Sequence, residues 1–278
     1  MSRIPLLLLL HPVTSLGVSG FSIHWSTVIG ILALAGLYGW RARVHAVGTV
    51  GQKAMFAAGL LTMFFALNGP LHDLSDEYLF SAHMVQHLVL VFVVAPLLVA
   101  GTPGPMLRPP LAWRGVLPVA RWLTRPVTCY LLFNVVFAAW HLPPLYNLAM
   151  AEHPVHIVEH VMFLVTAVLM WWPILSPLPE LPRLPYPGQM LYCFLMSIPM
   201  SIVAVYVSLA DHVLYPAYAA APRIWALSPL EDQQLGGLIM WIPGAYFLIG
   251  VMTVVFFKWV NAGEDTRDAA QVDWHPTT

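Results

Sequence analysis

Charge is what this sequence has least of. Asp, Glu, Lys and Arg make up 9% of its 278 residues, against roughly 25% in an ordinary soluble domain. Hydrophobic residues supply 59% and the mean hydropathy is +0.74, which excludes a water-soluble globule and an intrinsically disordered chain. Basic residues are not in excess either. The 12 Lys plus Arg face 13 Asp plus Glu, a formal charge of -1, so no basic face exists to meet phosphates and nucleic-acid binding is excluded. Cysteine is nearly absent. Cys129 and Cys193 each fall inside an apolar run, offering neither a disulfide framework nor a CxxC redox pair. The only lysines are Lys53 and Lys258, both at expected membrane edges, which removes a retinal-type receptor.

What the chain does have is apolar runs of membrane-spanning length. A helix needs about 20 apolar residues to cross a hydrocarbon core about 30 Å thick. Seven runs approach that length: Ser22 to Trp40, Ala54 to Gly69, Leu79 to Gly101, Val127 to Leu148, Val155 to Leu175, Gly188 to Leu209 and Leu235 to Val260. The expected fold is therefore all-α, a polytopic membrane helix bundle of seven transmembrane helices. Residues 1–21 read as an interfacial segment, 22–260 as the membrane domain and 261–278 as a cytoplasmic tail. The short run Leu6 to Leu10, stopped by His11 and Pro12, lacks a clear signal-peptide cleavage site.

Prolines punctuate the loops, most densely in the six between Pro173 and Pro187, because proline lacks the amide donor that continues a helix. Pro96, Pro199 and Pro243 fall inside expected spans and should kink them. Positive charge sets the orientation. Arg41, Arg43, Lys53, Arg108, Arg114, Arg121, Arg125, Arg183, Lys258 and Arg267 all belong to one side, leaving Arg3 and Arg223 on the other. The positive-inside rule puts the C-terminus in the cytoplasm and the N-terminus outside. The expected location is the bacterial inner (cytoplasmic) membrane, crossed several times.

Histidine is the abundant polar residue, 12 in all, as many as Lys and Arg together. With this orientation His72, His83, His87, His141, His153, His156, His160 and His212 fall in the outer half or its loops. At a helical rise of about 1.5 Å per residue, His83, His87, His141 and His160 lie about 6 to 12 Å below the outer span ends. His83 with His87, and His156 with His160, are spaced i,i+4, so each pair shares one helix face. Neutral imidazole is the commonest protein ligand for copper, zinc and iron, and polar groups at membrane depth are costly unless partnered or functional. The candidate metal ligands are His83, His87, His141, His156 and His160. Gln86, Glu159 and Asp232 stand nearby as candidate partners for the ring N–H groups. His153 and His212 belong to the rim as a route in, and Met84 and Met200 are the methionines placed as soft ligands for Cu(I). A lone histidine at a helix end is ordinarily an interfacial residue, and most methionines fill core space. Trp140, Trp171, Trp172 and Trp241 read mostly as interfacial anchors.

Four blocks of sequence carry a resemblance. Ser81-Ala82-His83-Met84-Val85-Gln86-His87-Leu88 is followed by Ala95-Pro96-Leu97-Leu98 and Gly101-Thr102-Pro103. Later come Trp140-His141-Leu142-Pro143, then Glu159-His160 with Trp171-Trp172-Pro173, then Asp232 to Gly237 with Met240-Trp241. Together, between about Pro70 and Phe257, they resemble the multi-span CtaG family of Bacillus-type cytochrome c oxidase assembly factors, distinct from the single-span copper chaperone that shares the name. The resemblance implies a non-enzymatic membrane factor for haem-copper oxidase maturation that handles copper on the outer side, and it carries over His83, His87, His141 and His160. The implied partners are a haem-copper oxidase subunit and a periplasmic or extracellular copper donor. The alternative is a haem-binding redox protein with bis-histidine ligation. A metal permease is disfavoured, because the inner halves of the spans are almost devoid of polar residues.

Overall fold

The computed structural model describes residues 21–272, with side chains to residue 262. The expected interfacial segment falls outside the described residues except for Phe21, as do the last six residues of the expected tail. Among the described residues the fold is entirely helical. Helices α1 (Trp25–Val44), α2 (Val50–Ala66) and α3 (Pro70–Glu77) are followed by α4 (Phe80–Val89), which runs through a π-helical turn, Leu90–Val94, into α5 (Ala95–Gly101). Then come α6 (Gly104–Leu111), α7 (Val116–Leu123), α8 (Pro126–His141), α9 (Pro143–Ala151), α10 (His153–Leu175), α11 (Tyr186–Ser208), α12 (Pro216–Ala220) and α13 (Pro229–Val272).

Among the described residues four stretches are long and apolar enough to cross a bilayer: Phe80–Gly101, His153–Leu175, Tyr186–Ser208 and Pro229–Ala262. Two bent pairs raise the number to six, α2 with α3 at 47° and α7 with α8 at 68°. The remaining expected span corresponds to α1, whose last turn holds Arg41 and Arg43 and which is not among these. The fourth expected span ends early. Helix α8 stops at His141, because Pro143 and Pro144 start a separate helix, so His141 closes a helix instead of lying within one.

The bundle is apolar outside and encloses buried polar side chains. Exposed large hydrophobics line its outer faces, Val127, Val135, Leu191, Ile202 and Tyr246 among them, while His83, Gln86, Glu159 and Asp232 are buried. The main core joins α4, α8, α10, α11 and α13 through Phe133, Phe163, Met196, Val207 and Leu248. Helices α11 and α13 make the most extensive contact. Gly237 permits it, since a Cβ there would lie 2.8 Å from the Ser208 nitrogen and 3.0 Å from the Ala204 oxygen.

The π turn has a local cause. In its hydrogen-bond pattern the Ala95 N–H reaches back to Leu90, so the next amide should reach Val91, but residue 96 is proline and has none. The indole N–H of Trp171 donates to the Val91 carbonyl oxygen instead, at 2.7 Å. Trp171 and Trp140 are thus buried at 2% and 7% exposure rather than interfacial. A second break positions α3. Gly69 takes φ 72° between α2 and α3, a region open to glycine at no steric cost, and its N–H bonds to Ser22 at 2.9 Å. Asn68 accepts the backbone N–H of His24 at 2.8 Å, which ties the start of α1 to this joint. Otherwise α1 buries no residue of its own.

Candidate metal centre

Three helices bring imidazoles and carboxylates to one buried place. Helix α3 supplies His72 and Asp76, α4 supplies His83 and His87, and α10 supplies His156, Glu159 and His160. The i,i+4 pairs face one another as expected. Ring centroids are 4.2 Å apart for His83 and His87 and 4.4 Å for His156 and His160. Across helices they are 5.6 Å for His83 and His156, and 5.3 Å for His87 and His160.

Among the described residues two candidate donor triads emerge, Asp76 with His83 and His156, and His83 with His87 and Glu159. Within each triad the donor atoms lie within 4.8 Å of one another. The Glu159 carboxylate stands 3.9 Å from His83 Nε2 and 4.0 Å from His156 Nε2. Asp76 Oδ2 stands 3.4 Å from His156 Nδ1.

The chemistry of these atoms fits a metal ion. Both ring nitrogens of His83 and of His87, Nε2 of His156 and of His160, and both carboxylate oxygens of Glu159 are buried without a hydrogen-bond partner. Buried polar groups ordinarily find partners, and each orphan costs about 1–3 kcal/mol. A cation would satisfy several at once.

His72 plays a different part. Gln86 Nε2 donates to the Ala66 carbonyl at 2.7 Å and to His72 Nδ1 at 2.9 Å. The proton of neutral His72 therefore sits on Nε2, which faces Asp76 at 3.4 Å and steadies that carboxylate. His24 packs on His72 with centroids 4.1 Å apart. These rings form one wall of a cleft of about 320 Å³ that also touches His153, His156 and His160 and, Ser26 and Thr27 apart, is otherwise apolar.

Beneath α3, Tyr218 donates to the Ser75 carbonyl at 2.6 Å and pairs with Tyr146 at 2.9 Å. Burial pushes both hydroxyls well above the usual tyrosine range. Tyr146 packs against His83 at 5.3 Å.

The remaining expected site residues divide. His141 is buried, with Nδ1 donating to the Phe137 carbonyl at 2.7 Å and Nε2 unpartnered, but it joins neither triad. It lines a small cavity of about 10 Å³ with His87, Met84 and Met200. Gln86 meets a ring, but by donating to Nδ1 of His72 rather than by accepting a ring N–H of a candidate ligand. Glu159 lies with His83 and His87 in one group of donor atoms, both its carboxylate oxygens unpartnered. Asp232 accepts from the backbone N–H groups of Phe80 and Ser81 at 2.8 and 3.2 Å, so it caps α4 and holds no imidazole. His212 is exposed and bonds Asp211 at 2.7 Å, in neither triad. His153 is exposed beside His24, centroids 6.3 Å apart.

Three contributors were not expected from the sequence. Asp76 shows a signal after the fact, an i,i+4 spacing from His72, but the pair lies on an eight-residue helix that hydropathy reads as a loop. His72 was placed in the outer half without a role. His24 has no sequence signal, since it arrives through the Asn68 contact alone.

The cluster is an imidazole-carboxylate donor set of a kind able to hold a metal ion, buried inside a helix bundle with several spans long and apolar enough for a membrane. The chain matches the family described as cytochrome c oxidase caa3 assembly factor (Caa3_CtaG) over residues 32–262 and belongs to that family. Uncharacterized proteins of Mycobacterium bovis and Mycobacterium tuberculosis are each 27% identical over 242 residues, 81% of this chain and 36% of theirs. One from Mycobacterium leprae is 25% identical over 269 residues, 89% of this chain and 40% of its own length. The chain thus spans well under half the length of these relatives. No solved structure matches it.

Proposed function

We propose that this protein binds copper in the buried cluster of His83, His87, His156, Glu159 and His160 and passes it to a haem-copper oxidase subunit in the same membrane. The family supports the oxidase as the destination. The carrying observation is the set of orphaned ring nitrogens and carboxylate oxygens at the triads. Copper is the cargo, and transfer proceeds by ligand exchange, with no covalent catalysis and no role as an enzyme. The seven-span arrangement with the N-terminus outside, in the bacterial inner membrane, belongs to this reading. It puts the cluster near the outer face, where an extracytoplasmic copper donor reaches it through the cleft beside His24 and His153.

Haem is the weaker reading. Two axial imidazoles must stand on opposite faces of a flat macrocycle, whereas the rings of His83, His87, His156 and His160 pack directly on one another. Element analysis and an optical spectrum of the detergent-purified protein test both readings. Copper without a Soret band is the expected result. A folded protein that takes up no copper overturns the proposal, as does a His83→Ala variant that keeps its full copper content.

A further inference from the structure

We infer that the cluster holds two copper ions at once, an outer one at Asp76 and His156 and an inner one at His83, His87 and Glu159. This rests on the copper reading above and sets its stoichiometry.

The argument starts from His156. Its Nδ1 lies 3.4 Å from Asp76 and its Nε2 lies 4.0 Å from Glu159. The two nitrogens of an imidazole point their lone pairs away from each other, so the two carboxylates sit off opposite edges of one ring. An ion held at one edge is not reached from the other. Nor does either group of donor atoms lying within 4.8 Å of one another contain both Asp76 and Glu159, so one ion does not take both, and a one-ion site leaves one carboxylate without a cation, an unfavourable state in a low-dielectric interior.

His83, on the neighbouring helix, lies within reach of both groups, is fully buried, and has its Nε2 3.9 Å from Glu159. A neutral imidazole has one lone pair to give, so His83 serves one ion at a time and belongs to the inner one when both are bound. Its ring is nearly parallel to that of His156, at 17°.

The surroundings of the two ends differ as a loading site and a holding site would. Asp76 is partly exposed, its side chain 22% accessible, while Glu159 is at 1%. His72, fixed by Gln86, steadies Asp76 from behind, and the cleft opens beside His72 and His156. One turn deeper on α10, His160 approaches His87 and extends the inner donor set. Two monovalent cuprous ions would also balance the two carboxylates. An ion arriving at Asp76 moves inward by exchanging ligands at His83.

The test is a copper count on the full-length protein in detergent. It is loaded with excess Cu(I) under reductant and passed over a desalting column; copper is measured by element analysis and protein by quantitative amino-acid analysis. The expected values are two coppers per chain for the native protein and one for each of Asp76→Asn and His87→Ala, with helicity checked by circular dichroism. Saturation of the native protein at one copper overturns the two-ion assignment and leaves the copper reading standing. Two coppers that persist in both variants place the second ion elsewhere and overturn it also. Loss of all copper in either folded variant shows one composite site and has the same effect. No copper in the native protein removes the underlying reading. The native count decides the matter even where a variant fails to fold.

Discussion

Asp232 and Phe80 are 152 residues apart in sequence, yet the carboxylate of one accepts the backbone N–H of the other at 2.8 Å. The same carboxylate also takes the Ser81 N–H and the Ser81 hydroxyl. Three donors at the start of the histidine-bearing helix are thus met by the first turn of α13. A negative charge at a helix N-terminus is favourable both for the free N–H groups and for the helix dipole.

Asp232→Ala should therefore act on stability. Loss of a helix cap costs about 0.5–2 kcal/mol, and thermal unfolding in detergent should show a lowered midpoint. Glu159→Gln should do the reverse, reducing copper content with little thermal effect on the metal-free protein. Equal copper loss and equal thermal effects in the two variants would contradict the assigned roles.

Trp171→Phe keeps an aromatic side chain, though a smaller one, and removes the N–H that serves the Val91 carbonyl. The buried oxygen then has no donor, since Pro96 cannot supply one. A destabilisation of about 1–3 kcal/mol is expected, read as a lower denaturation midpoint. Trp172→Phe removes a longer, 3.2 Å bond to Leu181 and should cost less.

Copper retention should fall on acidification, with the loss setting in well below the reference imidazole pKa of about 6.5, because burial disfavours the charged ring. Imidazole must be neutral to donate to a metal, so protonation competes with the ion, and the bound form dominates on the alkaline side and is lost on the acid side. A release curve that stays flat down to the acid limit of the folded protein, followed by circular dichroism, would count against imidazole ligation.

His212→Ala should leave copper content unchanged. The residue is exposed, hydrogen-bonded to Asp211, and in neither triad. A loss comparable to that of His83→Ala, measured by element analysis, would restore the role in admitting copper that its sequence position suggested.

The part of the site that was legible came from spacing within single helices. His83 with His87 and His156 with His160 announce their shared faces through i,i+4, and the helical hydropathy of α4, α10, α11 and α13 marks them as spans. What was hidden depends on breaks in regular geometry. Leu142 and the prolines after it end α8 and carry His141 away from the triads. Gly69 turns the chain into α3 and brings Asp76 and His72 to the cluster. Asp232 looked like a partner for a ligand because it is acidic and at the matching end, but which N–H it meets is decided by packing between α4 and α13. Trp171 looked interfacial because tryptophan usually is, and only the missing amide of Pro96 explains its buried donor.

The π turn at Leu90–Val94 has one more effect. It lets one additional residue into the helix, which advances everything beyond it by about 100° around the axis. The imidazoles of α4 and the face α5 turns to α2 are consequently out of phase by that step, so one continuous span points its chemistry one way and its packing another. Removing a single residue from this stretch would restore ordinary winding and could keep α5 seated only by rotating His83 and His87 out of alignment with Glu159.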